Sequence, residues 1–218
     1  KINFKKNLSN KTSANLVLFA DEKFSISHIK RYLTVAEFSY ISDLLKISDL
    51  KKKLLVFELS SKKKIVLVST TKNLKTSDIE NLGAEFFDRV NYGKNSEYNI
   101  NADSSISKNK IFIGHFLHGL KLKSYEFNKY KTKKETRTIT LNVIENKNKL
   151  SIKDQQKFKA IEEGTFFARD LVSEPGNVLH PDEYAKRLNS LRKIGLKINI
   201  FDEKKLKKLG MNTLLSVG

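Results

Sequence analysis

KKKLLVFELSSKKKIVLVSTTKNLKTSDIENLGAEFFDRV, residues 51–90, holds two short apolar runs and one longer periodic segment. The runs at 54–59 and 63–70 are too short for helices and are bounded by lysines, which suits strands buried on both faces of a sheet. In the segment 76–90, Thr76 or Ser77 is placed to cap a helix whose Ile79, Leu82 and Phe86 share one face. The same alternation continues on either side. NLVLFA (15–20) is another buried strand, and VAEFSYISDLLKI (35–47) spaces Phe38, Ile41 and Leu45 as a helix does. SEYNIN (96–101) reads as a strand and 108–127 as a helix that tolerates Gly114 and Gly119 at some cost. ETRTITLNVI (135–144) alternates and ends apolar, as a strand does. Strands interleaved with helices predict an α/β domain over residues 1–150, with a mixed sheet flanked by helices.

After the polar break at 145–149 the pattern changes. Residues 153–172 place Phe158, Ile161, Thr165, Ala168 and Val172 in one row and Ala160, Gly164, Phe167 and Leu171 in a second. Such a helix is about 30 Å long, enough to link two domains. Both prolines of the chain follow it, Pro175 and Pro181. Pro175 cannot continue a helix and turns Glu174 away from helical angles, while Gly176 and Asn177 permit a turn. Pro181 suits the first position of the next helix, with Asp182 and Glu183 favourable to its dipole. That helix is expected to close on Arg192 and Lys193 with Gly195 as its cap. Residues 196–202 alternate like a strand, and 203–210 form a short helix. The expected organisation is therefore an α/β domain at 1–150, a linking helix at 151–173 and the start of a second α/β domain at 174–218.

Composition narrows the classes of function. The formal net charge is +18, but Lys outnumbers Arg 36 to 6, a skew expected of solvated positions filled by AT-rich codons. Duplex readers lean on the planar fork of Arg. A basic module that binds DNA or RNA is nonetheless the alternative reading, because clustered lysines displace counterions from phosphates. The chain has no cysteine, which excludes disulfides and thiolate chemistry. The first residues lack the apolar stretch of a secretory signal, and no run reaches a membrane span, so a cytoplasmic protein without a membrane partner is expected.

Few local motifs carry chemistry. His115 and His118 stand one helical turn apart, but with no third ligand nearby they read as helix histidines rather than metal ligands. Gly114 and Gly119 frame a G-x-x-x-x-G that lacks the following Lys-Ser/Thr of a phosphate loop. KYKTKK (129–134) joins lysines to aromatic residues, a pattern that can hold single strands or simply form a solvated loop. The triplets at 51–53 and 62–64 read as solubilising lysines beside strands. No G-x-S-x-G elbow is present, and Asp170 and Glu174 read as capping or turn carboxylates.

ARDLVSEPGNVLHPDEYA (168–185) resembles the junction of the two-metal leucyl aminopeptidases, also called cytosol aminopeptidases, through Ala168, Arg169, Asp170, Leu171, Pro175, Asn177 and Pro181. Ser173 stands where that family usually has Asn, and His180 where Thr or Ser often caps the helix. Tyr125, Phe127, Tyr130, Lys131 and Thr132 match a second segment of the family. Leu206, Leu209, Gly210, Met211, Val217 and Gly218 match a third. The resemblance implies a macro-domain-like N-terminal domain, a linking helix and the start of a catalytic domain. It implies a hexameric parent enzyme that releases N-terminal amino acids, leucine preferred, from peptide substrates with two divalent ions, Mn or Zn. The family's catalytic and metal-binding residues fall beyond Gly218, so no catalytic, metal or cofactor-binding residue is assigned in this chain. By itself it is expected to be inactive and to hold no cofactor.

Overall fold

The computed structural model describes residues 1–5, 15–90, 95–133, 138–147 and 149–217. They form strands β1 (Ile2–Lys5) and β2 (Asn15–Ala20), helix α1 (Val35–Ile47), strands β3 (Leu54–Ser60) and β4 (Lys63–Ser69), helix α2 (Thr76–Val90) and strand β5 (Asn95–Asn101). Helix α3 (Phe112–Lys123), strand β6 (Thr138–Ile144) and helices α4 (Ile152–Ser173), α5 (Pro181–Asn189), α6 (Glu203–Lys208) and α7 (Asn212–Leu215) follow. The chain divides into two compact units, Lys1–Gly164 and Thr165–Gly218.

The first unit is α/β, built on a six-stranded sheet in the order β1-β6-β5-β2-β4-β3. Only β3 runs antiparallel, against β4, so the sheet is mixed. β2 lies inside the sheet, and its alternate residues feed two cores. Val17 and Phe19 join a cluster with Ile79, Phe86 and Phe116 of α2 and α3, whereas Leu16, Leu18 and Ala20 join Ile29 and Ile41 on the opposite face. Phe19 meets the rings of Phe112 and Phe116 edge-on at 4.9 and 5.3 Å. Helices thus cover both faces, as buried, uniformly apolar strands require.

Several local expectations change. The N-terminal segment, for which no strand was expected, supplies β1, an edge strand paired in parallel with β6 from Ile2↔Leu141 to Lys5↔Ile144. The α2 amide of Ile79 donates to the Lys75 carbonyl, so Thr76 and Ser77 lie inside the first turn, not at its cap. Helix α3 is shorter than 108–127. Asn109 turns the chain before it by accepting from the Ile111 amide, and at its end the Ser124 hydroxyl takes the Lys121 carbonyl. Of the strand expected at 135–144, residues 135–137 lie outside the described residues.

In the second unit Pro181 opens α5 without a side-chain cap from His180, and a short 3-10 turn, Ser190–Ile194, ends at Gly195 with φ 91°. Residues 196–202 form no strand. Their ladder groups find no partner strand among the described residues, and Leu196 and Ile200 stay half-exposed.

Candidate functional site

In open α/β sheets ligands sit at the carboxyl ends of the strands, where the strand order reverses. Here that point lies between β2, which continues to β4 on one side, and β5 on the other. It is filled by protein. The buried Ser104 hydroxyl accepts from the Phe19 amide at 2.8 Å and donates to the Asn101 carbonyl at 2.6 Å. The His28 ring lies across the same place, with Nε2 3.2 Å from the Phe19 carbonyl and 3.3 Å from that of Ser104. The Phe19 amide and the Phe19, Asn101 and Ser104 carbonyls there are already engaged.

The histidines of α3 are structural. His115 Nδ1 pairs with Glu80 of α2 at 3.0 Å, and His118 Nδ1 with Glu162 of α4 at 3.2 Å. Both rings also pack on Phe158, at 5.0 and 5.3 Å. The two imidazoles therefore serve different carboxylates and hold α4 against α3. Among the described residues no group of three His, Asp or Glu side chains is placed to hold a metal ion.

A cleft of about 990 Å³ opens where α3 ends and β6 begins, its polar lining Lys1, Lys121, Lys131 and Lys133 with the carboxylate Glu126 among them, over an apolar wall that includes Phe87 and Leu141. Next to it Phe127 meets Tyr130 edge-on at 5.8 Å, Lys129 lies over the Tyr130 ring at 5.5 Å, and Tyr130 is half-exposed. Of the lysine triplets, Lys63 pairs with Glu37 and Lys64 with Glu58, while 51–53 stay exposed.

The junction carries a pair that its sequence does not announce. Glu174, its side chain only 2% exposed, accepts from Arg187 of α5 at 2.9 Å, and Arg187 Nε also donates to Glu183 at 3.1 Å. Glu174 is thus an internal ion-pair partner rather than a turn group. No local signal could have shown this, because Arg187 lies on the next helix.

Beyond β6 sits another carboxylate that motif reasoning missed, Glu145, which is 4% exposed. One oxygen accepts from the Leu150 amide at 3.0 Å, and the other, Oε2, has no hydrogen-bond partner among the described residues. Burial pushes its carboxyl above the usual range, and Asp103 adds to the rise against the pull of the Leu150 amide and Lys149.

Residues 166–218 match the profile of the cytosol aminopeptidase family, catalytic domain. Two proteins named "Probable cytosol aminopeptidase" are similar to the chain. That of Nitrobacter winogradskyi is 33% identical over 161 residues, 71% of this chain and 32% of its own length. That of Agrobacterium fabrum is 42% identical over 108 residues, 47% of this chain and 22% of its own length. The chain belongs to the cytosol aminopeptidase family. It spans less than half the length of the curated family members it matches. The family fold is the one seen here. A tomato leucine aminopeptidase mutant superposes with TM-score 0.69 at 18% identity, covering 96% of this chain and 46% of that one. The cytosol aminopeptidase from Coxiella burnetii gives 0.63 at 14% identity, covering 95% and 41%.

Proposed function

We propose that this chain is the amino-terminal α/β domain, linking helix and opening catalytic-domain segment of a peptide-cleaving cytosol aminopeptidase. The observation that carries the reading is the match of residues 166–218 to the family's catalytic domain, directly after a separate α/β unit. In this reading 1–150 is the domain, 151–173 the linker and 174–218 the catalytic opening. The whole protein would be a cytoplasmic hexamer that removes N-terminal residues, leucine foremost, with two divalent ions of Mn or Zn that activate water. The described residues do not form a set of metal ligands, so no step is assigned to them. Their part is to seat the junction through Glu174, Arg187 and Pro181 and to shape the domain beside it.

Leucine p-nitroanilide tests the proposal. The full-length protein supplied with Mn or Zn should release nitroaniline, and the 218-residue chain should not. A full-length protein inert with either ion, or a chain active alone, would overturn it.

The lysine-lined cleft with Tyr130 beside it favours a second reading, a surface that holds single-stranded nucleic acid. Such binding should weaken steeply as salt rises, and Lys131→Glu with Lys133→Glu should weaken it further. A salt-independent or undetectable interaction rules this reading out.

A further inference from the structure

A groove of about 380 Å³ lies between β1, α3 and the start of α4, wholly within the first unit. That is a volume in which small molecules bind. Phe4 of β1, Leu117 of α3, Leu150 and Phe158 of α4 form its apolar walls, and Ile152 stands 75% exposed beside them. Phe158 and Leu150 can lie directly on α3 because Gly114 has no side chain; a Cβ there would strike both. None of these residues lines the lysine cleft at the end of α3.

The polar part of the lining is rich in acceptors. His118, its side chain 7% exposed, donates from Nδ1 to Oε1 of Glu162 at 3.2 Å. A neutral imidazole with its proton on Nδ1 keeps Nε2 as an acceptor. Neither that Nε2 nor Glu162 Oε2 has a hydrogen-bond partner among the described residues. Gln155 donates to the Leu150 carbonyl at 3.0 Å, and its own Oε1 remains able to accept. Two donors also line the groove. Gln156 is exposed, and Lys159, 75% exposed, turns along α4 to pair with Glu163 at 3.7 Å. The charge held inward is therefore that of Glu162, only 17% exposed.

We propose that this groove binds a primary amine carried on an apolar body. The ammonium brings three N–H donors and a positive charge to Glu162 Oε2 and His118 Nε2, and the apolar body covers Leu117 and Phe158. A half-buried carboxylate attracts a cation more strongly than one in open water does. An anion of the same shape meets repulsion instead. The site belongs to the α/β unit and does not depend on the aminopeptidase reading.

Phenethylamine is the probe, titrated into the 218-residue chain and followed in ¹³C-methyl spectra at about pH 7.5. Methyl signals of Ile2, Leu117, Leu150 and Ile152 should shift saturably, with a Kd of about 1 mM for so small a ligand. Those of Ile29 and Ile41, on the opposite face of the sheet, should stay fixed. Hydrocinnamate, a similar body with a carboxylate in place of the amine, should bind at least about tenfold more weakly. Glu162→Gln keeps an acceptor for His118 and removes the charge, so amine affinity should fall about tenfold. The absence of a saturable shift, equal binding of amine and carboxylate, or full amine affinity in Glu162→Gln overturns the proposal. Shifts that arise on concentrating the chain without amine would give the groove to a second copy, and overturn it too. Should Glu162→Gln fail to fold, the preference of the native chain for amine over carboxylate decides alone.

Discussion

At Gly83 and Gly119 helices α2 and α3 touch backbone to backbone. A Cβ at Gly83 would fall on the Phe116 carbonyl, and one at Gly119 on the Glu80 carbonyl. Neither neighbour can rotate away, since each is held in its own helix. Alanine normally gains about 1 kcal/mol over glycine inside a helix. Overpacking of a tight contact costs about 1–3 kcal/mol, and an immovable neighbour sets the upper end. Gly119→Ala should therefore lose about 2 kcal/mol net in urea unfolding. Gly164 in α4 has nothing within 4 Å of an added Cβ, so Gly164→Ala should instead gain up to about 1 kcal/mol. Equal effects of the two substitutions would show that α2 and α3 are not in backbone contact.

Among the elements, α1 and α2 were legible to the residue, at Val35–Ile47 and Thr76–Val90, because each carries its own period. In α1 the ends are also written locally. Thr34 accepts from the Glu37 amide at 3.2 Å and the Glu37 carboxylate accepts from the Thr34 amide at 2.9 Å, a reciprocal cap worth about 1 kcal/mol. Periodicity reports what a segment is able to bury, and it says nothing of what is there to cover it. The apolar rows of α4 buried only Phe158, leaving Ile161 44% and Val172 87% exposed. Residues 196–202 alternate as a strand does, yet a strand exists only where another backbone answers it. β1 had the opposite fault. Ile2–Lys5 is too short to announce itself, and its identity comes from β6, far along the chain. The candidate sites show the same division. The solvated look of residues 129–133 was readable, Lys134 lying outside the described residues, whereas Glu174–Arg187, Asp103 with the 146–147 amides, and Ser104 on Phe19 each join residues that no motif connects.

At the scale of the whole chain, burial is unevenly shared. In the first unit, strands β2 and β4 and helices α2 and α3 supply Val17, Phe19, Val66, Val68, Ile79 and Phe116, all fully buried. No described hydrophobic residue from 165 to 217 is buried, and Val172, Ile194, Leu214 and Val217 stand 87%, 74%, 57% and 85% exposed. Apolar burial is the main stabilising term in folding, and helices shorter than about 12 residues are marginal without it. Local devices in the second unit include the Glu174–Arg187 pair, the Asp202 cap on α6 and the left-handed Gly195. Opening free energies should then differ sharply along the chain. Amides of β2, β4, α2 and α3 should exchange only through global unfolding, and those of 174–217 should exchange orders of magnitude faster. Brief trypsin treatment should cut first at Lys186, Lys193 or Lys197 and leave the first unit whole. Equal protection of 174–217 would contradict this account.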